Sequence, residues 1–425
     1  MAVDLHRRNP KILGRLRMVS QGLAGGTHAF GPVAEAVRWM TAMQAQDLQA
    51  AMWAVGARVS GCGLTDVRSA IDSGAVVRSW PMRGTLHLVA PEDLRWMLDL
   101  TADRLTRSIA ARHRELEITW ADIEKCRDIA LEHIAGAGPA SRTELFTAFD
   151  AAGQPTRGQR GIHILGALCR HAWLVQGPLA KNQQLLVPFE EWIPVSRSLE
   201  RQEAVAEFLL RYLRSHGPAT LRDFAWWTQL PLTEVRAAFE DAKHELVELE
   251  FRGTTYWLSA ETASLLDGGL PGQRSVLLLP GFDEFLLGYA DRRAVLPPEH
   301  SDRIVPGGNG VFKKTLVAGG EVIGTWSRDG AGPRAAVVPE LFDATKPLGP
   351  AARAAFAKAA QRSSRSWTTD SAALPRTSGA APHERCCPRP LVRGRAAVGY
   401  QVVATVHILL RPASASAPWR TTLGP

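Results

Sequence analysis

The sequence predicts a mainly α fold with small β-sheets (α+β): three tandem winged-helix units followed by a β-rich C-terminal domain. Three observations predict it. A Gly-Pro-Ala-Ser/Thr element recurs between helical stretches, in "HIAGAGPASRTELFTAF" at 133–149 and "RSHGPATLRDFAWWTQL" at 214–230. Each copy runs on into another helical stretch and then two short strand-like runs. From about residue 269 the helical period gives way to strand patterns, beginning with "RSVLLLPGFDEFLLGY".

Taken in order, the first unit spans 1–125. "VAEAVRWMTAMQAQDLQAAMWAVGARV" supplies helices and "LTDVRSAIDSGAVVRSW" the third, with Thr65 as a plausible N-cap. "VVRSWPMRGTLHLV" supplies a hairpin, and "PEDLRWMLDLTADRLTRSIAARHREL" leads as helix into the next unit. The second unit spans 126–198. Its Ser141 and Glu144 stand at capping-box spacing, its third helix is "GQRGIHILGALCRHAWLVQG", and "QQLLVPFEEW" lies in its hairpin. The third unit, 199–268, repeats the plan with Thr220 and Asp223, then "PLTEVRAAFEDAKHELVELEF" and "ELVELEFRGTTYWLS". Helix–helix–helix–hairpin, with a short turn between the second and third helices, is the winged form of helix-turn-helix.

In 269–362, "GVFKKTLVAGGEVIGTWSR" reads as a hairpin turning at Ala318-Gly319-Gly320-Glu321, "AAVVPELF" as a further strand, and "GPAARAAFAKAAQ" as a closing helix. The segment 363–425 is rich in Ser, Ala, Pro and Arg and reads as a disordered basic tail, or as the text that high-GC coding yields out of frame.

The net charge of +8 belongs to the end of the chain. Residues from 351 onward hold 11 Lys+Arg and 2 Asp+Glu, leaving 39 and 40 in 1–350. The body is near neutral, so a nucleic-acid surface there is a local patch. No apolar run is long enough to span a membrane, and no secretory signal opens the chain, so the expected location is the cytoplasm. The five cysteines form no CxxC pair and gather no histidines, which argues against a zinc site or a disulfide framework.

Three helix-turn-helix units in line, with Arg78, Arg83, Arg157, Arg160, Arg170 and Arg236 on hairpins and third helices, point to duplex DNA. The hairpin "RSWPMRGTLHLV" packs Trp80, Arg83, Thr85 and His87 closely, and alternation puts Arg83, Thr85 and His87 on one face. That face is either a solvated wing or the lining of a site that grips phosphate or a base. Asp283, Glu284, Asp291, Arg292 and Arg293 follow a buried strand; the simplest reading is a structural Asp283–Arg292 pair holding a loop. At "MQAQDLQAAMWAVGARV", Gln44 and Gln46 open an otherwise apolar helix. A polar helix start is one explanation. Residues two apart diverge on a helix, so convergence of these amides requires Gln44 at or before the helix start.

The order Gln-apolar-Gln, then "MRGTLHLV", then "LLPGFDEFLLGYADR", then "GEVIGTW" resembles the AlkZ-like DNA glycosylases over about residues 10–362. That resemblance implies tandem winged helices and a β-rich domain around a DNA-binding channel, with Gln44 and Gln46 as the catalytic pair. The related YcaQ branch has Asp where Gln46 stands; Ala45 is smaller than the family's middle residue. The implied chemistry is hydrolysis of N7- or N3-alkylated purines from duplex DNA by a cytoplasmic, nucleoid-associated monomer. It needs no metal or cofactor, because a cationic purine leaves without protonation. Gln46 would place the water and Gln44 would serve the deoxyribose or phosphate, with Arg83, Thr85, His87, Trp80 and Arg78 lining the site. The alternative is a non-catalytic transcription regulator, which would ordinarily be dimeric; the chain shows no sustained apolar heptad for dimerisation.

Overall fold

The computed structural model describes residues 3–4, 11–25, 30–181, 183–308, 310–330 and 335–366. The tail expected at 363–425 therefore lies outside the described residues from 367 onward. The closing helix, Pro350–Ser366, runs past the boundary set at 362.

One plan appears three times. Helices Val33–Met40, Leu48–Gly56 and Leu64–Asp72 precede the hairpin Val77–Met82 with Thr85–Val89. Helices Trp120–Ala137, Arg142–Ala151 and Arg160–Arg170 precede Leu174–Ala180 with Gln183–Pro188. Helices Arg201–His216, Leu221–Thr228 and Leu232–Ala242 precede Leu246–Phe251 with Thr254–Ser259. Local chemistry fixes the helix starts. Ser141 Oγ accepts the Glu144 N–H at 3.2 Å while the Glu144 carboxylate accepts the Ser141 N–H at 2.7 Å. Thr220 and Asp223 exchange the same pair of bonds at 3.1 and 2.9 Å. Thr65 is not a cap: the Leu64–Asp72 helix starts from Gly63, whose N–H donates to the Asp66 carboxylate at 2.7 Å.

The hairpins do not stay separate. The first two merge into one five-stranded sheet through the contact of Arg78 with Gln176. The third accepts a short N-terminal strand, Val3–Asp4, in parallel. Helix Ile12–Ser20, placed in the first unit by its position in sequence, shares a core with the third hairpin and with helix Ala260–Gly268. A core running from Val77 and Val89 through Trp96 to Phe208, Tyr212 and Trp227 binds the first and third units into one body.

The C-terminal sheet has the strand order Ala336–Leu341, Glu321–Asp329, Thr315–Ala318, Val276–Leu279. Its hairpin turns at Gly319 and Gly320, with φ of 58° and 92°, values that only glycine adopts freely. Past strand Val276–Leu279 the chain makes a short helix, Glu284–Leu287, whose residues are all buried. That helix meets both the first and the third unit.

Candidate active site

The segment Met43 to Asp47 is a strand that turns into a helix. Ala42–Gln44 pairs antiparallel with Thr85–Val89, with Gln44 opposite His87. Asp47 caps the next helix by accepting the Ala50 N–H at 3.1 Å. Gln44 therefore stands before the helix start, as convergence of the two amides requires, and Gln46 lies in the turn between. Alternation sends Met43 and Ala45 into the core with Leu88. It sends Gln44 and His87 the other way, towards the short buried helix.

Each side of this segment is held. On one side the Gln44 N–H donates to Glu284 Oε1 at 2.9 Å. On the other, Arg78 Nε donates to the Ala45 carbonyl at 2.9 Å and Arg78 Nη2 to the Gln46 carbonyl at 3.3 Å. Arg78 is itself fixed by the Gln176 and Gln184 side chains at 2.8 and 3.0 Å. Burial lowers its guanidinium to about 10, opposed by Asp47. Gln46 is exposed, and its Oε1 accepts the Leu86 N–H at 3.3 Å, which leaves its NH2 group and one lone pair unused. Among the described residues nothing hydrogen-bonds the Gln44 side-chain amide.

Glu284 is the hub. It is 1% exposed, yet its second oxygen accepts Trp227 Nε1–H at 3.0 Å and stands 3.6 Å from His216 Nε2. Burial alone would raise this carboxyl, but His216, Arg83 and the Gln44 N–H bring it down to about 2. Two fixed N–H donors require an acceptor, so the carboxylate is ionised. Around it, Arg58 holds Asp283 with two bonds of 2.9 Å and donates to Gln21 at 2.8 Å. Gln21 in turn donates to the Tyr289 hydroxyl at 3.0 Å. The His216 ring stacks on Tyr212, and at Gly288 a Cβ would meet His216 Cδ2 at 2.7 Å, so the backbone passes the ring without room for a side chain.

At the hairpin tip, Arg83 and Gly84 form a two-residue turn, both with positive φ. His87 is fully buried, and its Nδ1–H donates to the Thr85 carbonyl at 2.9 Å, since a carbonyl can only accept. Nε2 is left as an acceptor facing Arg83 Nη2 at 3.4 Å. Burial, then Arg83, push His87 down to about 3, so it is a neutral imidazole at physiological pH. Thr85 is half-buried, and its role in the site is the carbonyl that orients His87.

Three expectations are corrected. Trp80 does not line the site: it is 8% exposed and packs with Leu86, Ile123 and Leu165, because its strand position sends it to the opposite face of the sheet from Ser79 and His87. Arg78 offers no free cation to DNA; protein carbonyls occupy it. The Asp283–Arg292 pair does not form, because Asp283 is taken by Arg58 while Arg292 Nε donates to the Leu286 carbonyl at 2.9 Å. Arg160 and Arg170 are also buried, whereas Arg157 and Arg236 are exposed. Sequence reasoning missed Glu284 as the anchor of Gln44. The signal was there: an acid inside Phe282, Phe285, Leu286 and Leu287 is buried only if something pairs it.

Repeated helix–hairpin units thus surround a polar corner in which two glutamines flank a strand end beside a buried carboxylate. Comparison with known proteins gives the family. A family model described as "DNA glycosylase AlkZ-like" matches residues 37–365, and the chain belongs to that family. It is 26% identical over 295 residues to the interstrand DNA cross-link repair glycosylase of Streptomyces sahachiroi, covering 67% of this chain and 79% of that protein. The solved structure of the Streptomyces sahachiroi DNA glycosylase AlkZ shares the fold, with a TM-score of 0.72 at 24% identity, over 87% of this chain and 98% of that one. The protein is thus a DNA glycosylase, a hydrolase acting in DNA repair. Among the described residues no helix is long and apolar enough to cross a membrane.

Proposed function

We propose that this glycosylase hydrolyses N7- or N3-alkylated purines from duplex DNA and leaves an abasic site, with Gln44 and Gln46 as its catalytic pair. The observation that carries this reading is the doubly held corner: Glu284 on the Gln44 N–H and Arg78 on the Ala45 and Gln46 carbonyls, with the Gln44 amide unbonded and the Gln46 amide exposed. A backbone held so firmly presents its side chains in fixed positions, which is what a preorganised site requires.

An alkylated purine carries a positive charge before it leaves. As the C1′–N9 bond breaks, its electron pair flows into the ring and neutralises that charge. The sugar becomes oxocarbenium-like, water adds at C1′, and the water's proton passes to solvent. No protonation of the base is needed, so amides suffice where carboxylic acids act on ordinary purines. Gln46, with its carbonyl steadied by Leu86 N–H, places the water. Gln44 serves the deoxyribose or its phosphate. Glu284 is a positioning residue for Gln44, and its ionised carboxylate favours positive charge on the sugar. The protein acts as a monomer without metal or cofactor, in the cytoplasm at the nucleoid, through winged-helix units at 1–125, 126–198 and 199–268 and a β-rich domain at 269–362.

The test is incubation of the full chain with a duplex bearing one N7-methylguanine, followed by alkali. Strand breaks at the lesion support the reading. Binding without breaks, on this and on bulkier N7 and N3 adducts, would overturn it in favour of a DNA-binding protein without excision activity on alkylated purines.

A further inference from the structure

We infer that Arg83 and Arg292 form a clamp, built on the Trp226 indole, for the backbone phosphate flanking the extruded nucleotide. The inference rests on the glycosylase reading and adds a subsite to it.

Arg83 and Arg292 lie far apart in sequence, on the hairpin tip and on the loop after the buried helix. Their guanidinium carbons nonetheless sit 5.4 and 5.2 Å from the centroid of the same ring. Arg292 also lies 4.9 Å from the Phe312 ring. Neighbouring arginines are neutralised: Arg58 by Asp283 and Arg293 by Asp291. Among the described residues neither Arg83 nor Arg292 has a carboxylate oxygen within 4.0 Å. Arg292 spends Nε on the Leu286 carbonyl, which leaves both terminal nitrogens, and the one hydrogen-bonding contact of Arg83 is from Nη2 to His87 Nε2. Burial, then the Arg83 charge, lower Arg292 to about 10. Two half-buried like charges that face carboxylates only at a distance, with none in contact, are costly in the free protein. An arriving anion converts that cost into binding.

The chemistry of the DNA selects which anion. A cationic alkylpurine is repelled by two guanidiniums, while a phosphodiester fits their paired donors. The location agrees. Arg83 touches His87, and His87 lies directly across the strands from Gln44. The site is thus divided by charge, with Glu284 and the amide carbonyls towards the sugar and the arginines towards the phosphate.

Binding of the full chain to a short duplex containing one tetrahydrofuran abasic analogue, measured across salt concentrations, tests the clamp without requiring turnover. Each phosphate neutralised contributes about 0.9 to the slope of log K against log salt. The Arg83→Gln, Arg292→Gln double variant should lose about that much slope and bind about tenfold more weakly at low salt. Arg292→Lys should keep the wild-type slope. Replacing one linkage beside the analogue by an uncharged methylphosphonate should weaken the wild type equally and leave the double variant unaffected. That arm decides the matter even if the variants fold poorly. An unchanged slope in a folded double variant, or no methylphosphonate effect at either flanking linkage, would overturn the clamp. A salt-independent loss would instead mean that Trp226 stacks a base. Normal excision of N7-methylguanine alongside an unchanged slope sinks the clamp alone and leaves the glycosylase reading standing.

Discussion

The corner ahead of the second helix is built three times in this chain, and the copies differ where it matters. In the second and third units an alanine, Ala140 or Ala219, sits between a proline and the N-cap. It exchanges both backbone hydrogen bonds with its hairpin, with Leu186 at 3.1 and 2.7 Å and with Trp257 at 3.0 and 2.9 Å. In the first unit Ala45 is the counterpart, equally buried, and its N–H donates to the Leu86 carbonyl at 2.7 Å. The return bond is missing. Arg78 has taken the Ala45 carbonyl, and the Leu86 N–H donates to the Gln46 side chain instead. Gln44 stands where the prolines stand, and Gln46 is one residue more than the other corners have before their caps. Two copies build this corner without a glutamine. In the first unit Gln46 takes over a backbone bond that the alanine carbonyl makes in the other two, whereas the Gln44 amide has no such task among the described residues. The same comparison accounts for Ala45: the residue at this point is small because it is tucked under the hairpin in all three units.

Removing the acid beneath the first corner should have the largest effect. Glu284→Ala leaves the Gln44 and Trp227 N–H groups unpaired in the interior, and urea unfolding should show a loss of about 3–5 kcal/mol. Excision should fall with it. The pH dependence follows from the same residue. Its folded carboxyl lies near 2 against an ordinary 4.5, so the stabilisation is complete above about pH 4.5 and is lost as the pH falls towards 2. Glu284→Gln should flatten that part of the stability-versus-pH curve, and a wild-type slope in the variant would contradict the assignment.

Next in size is Arg78→Met, which makes the first corner resemble the others by freeing the Ala45 carbonyl to return to Leu86. Stability should fall by about 1–3 kcal/mol, and the single-turnover excision rate by about tenfold or more, because the glutamines lose their fixed backbone. A normal rate would show that the corner's unusual bonding is incidental. The smallest effect should be at the equivalent place in the second unit. Ser141→Ala removes a cap, costs about 1 kcal/mol by thermal melting, and should leave the excision rate per folded molecule unchanged.

Much of the scaffold was legible in the sequence because helix caps and strand alternation are local. Ser141–Glu144, Thr220–Asp223 and the turn at Gly319-Gly320 each declare themselves within a few residues. Thr65 misled because Asp66, next to it, reached back to Gly63. The site was legible only where chemistry was written in adjacent residues. Gln44 and Gln46 stood out, but their supports did not: Glu284 lies 240 residues from Gln44, and Arg58 lies 225 from Asp283. Trp80 and Arg78 were misplaced for a related reason. A hairpin's alternation tells which residues share a face, and only the packing of the next unit, helix Arg160–Arg170 against strand Val77–Met82, tells which face is closed.

The most direct test of the central claim is to compare single-turnover excision of N7-methylguanine by the wild type, Gln44→Ala and Gln46→Ala, with the thermal melting of each protein alongside. If the glutamines are present for chemistry, rates fall by about 10²–10³ while the melting temperatures stay within a few degrees of wild type. If instead the rates hold and the proteins melt early, the glutamines are there to build the corner and the catalytic assignment is wrong.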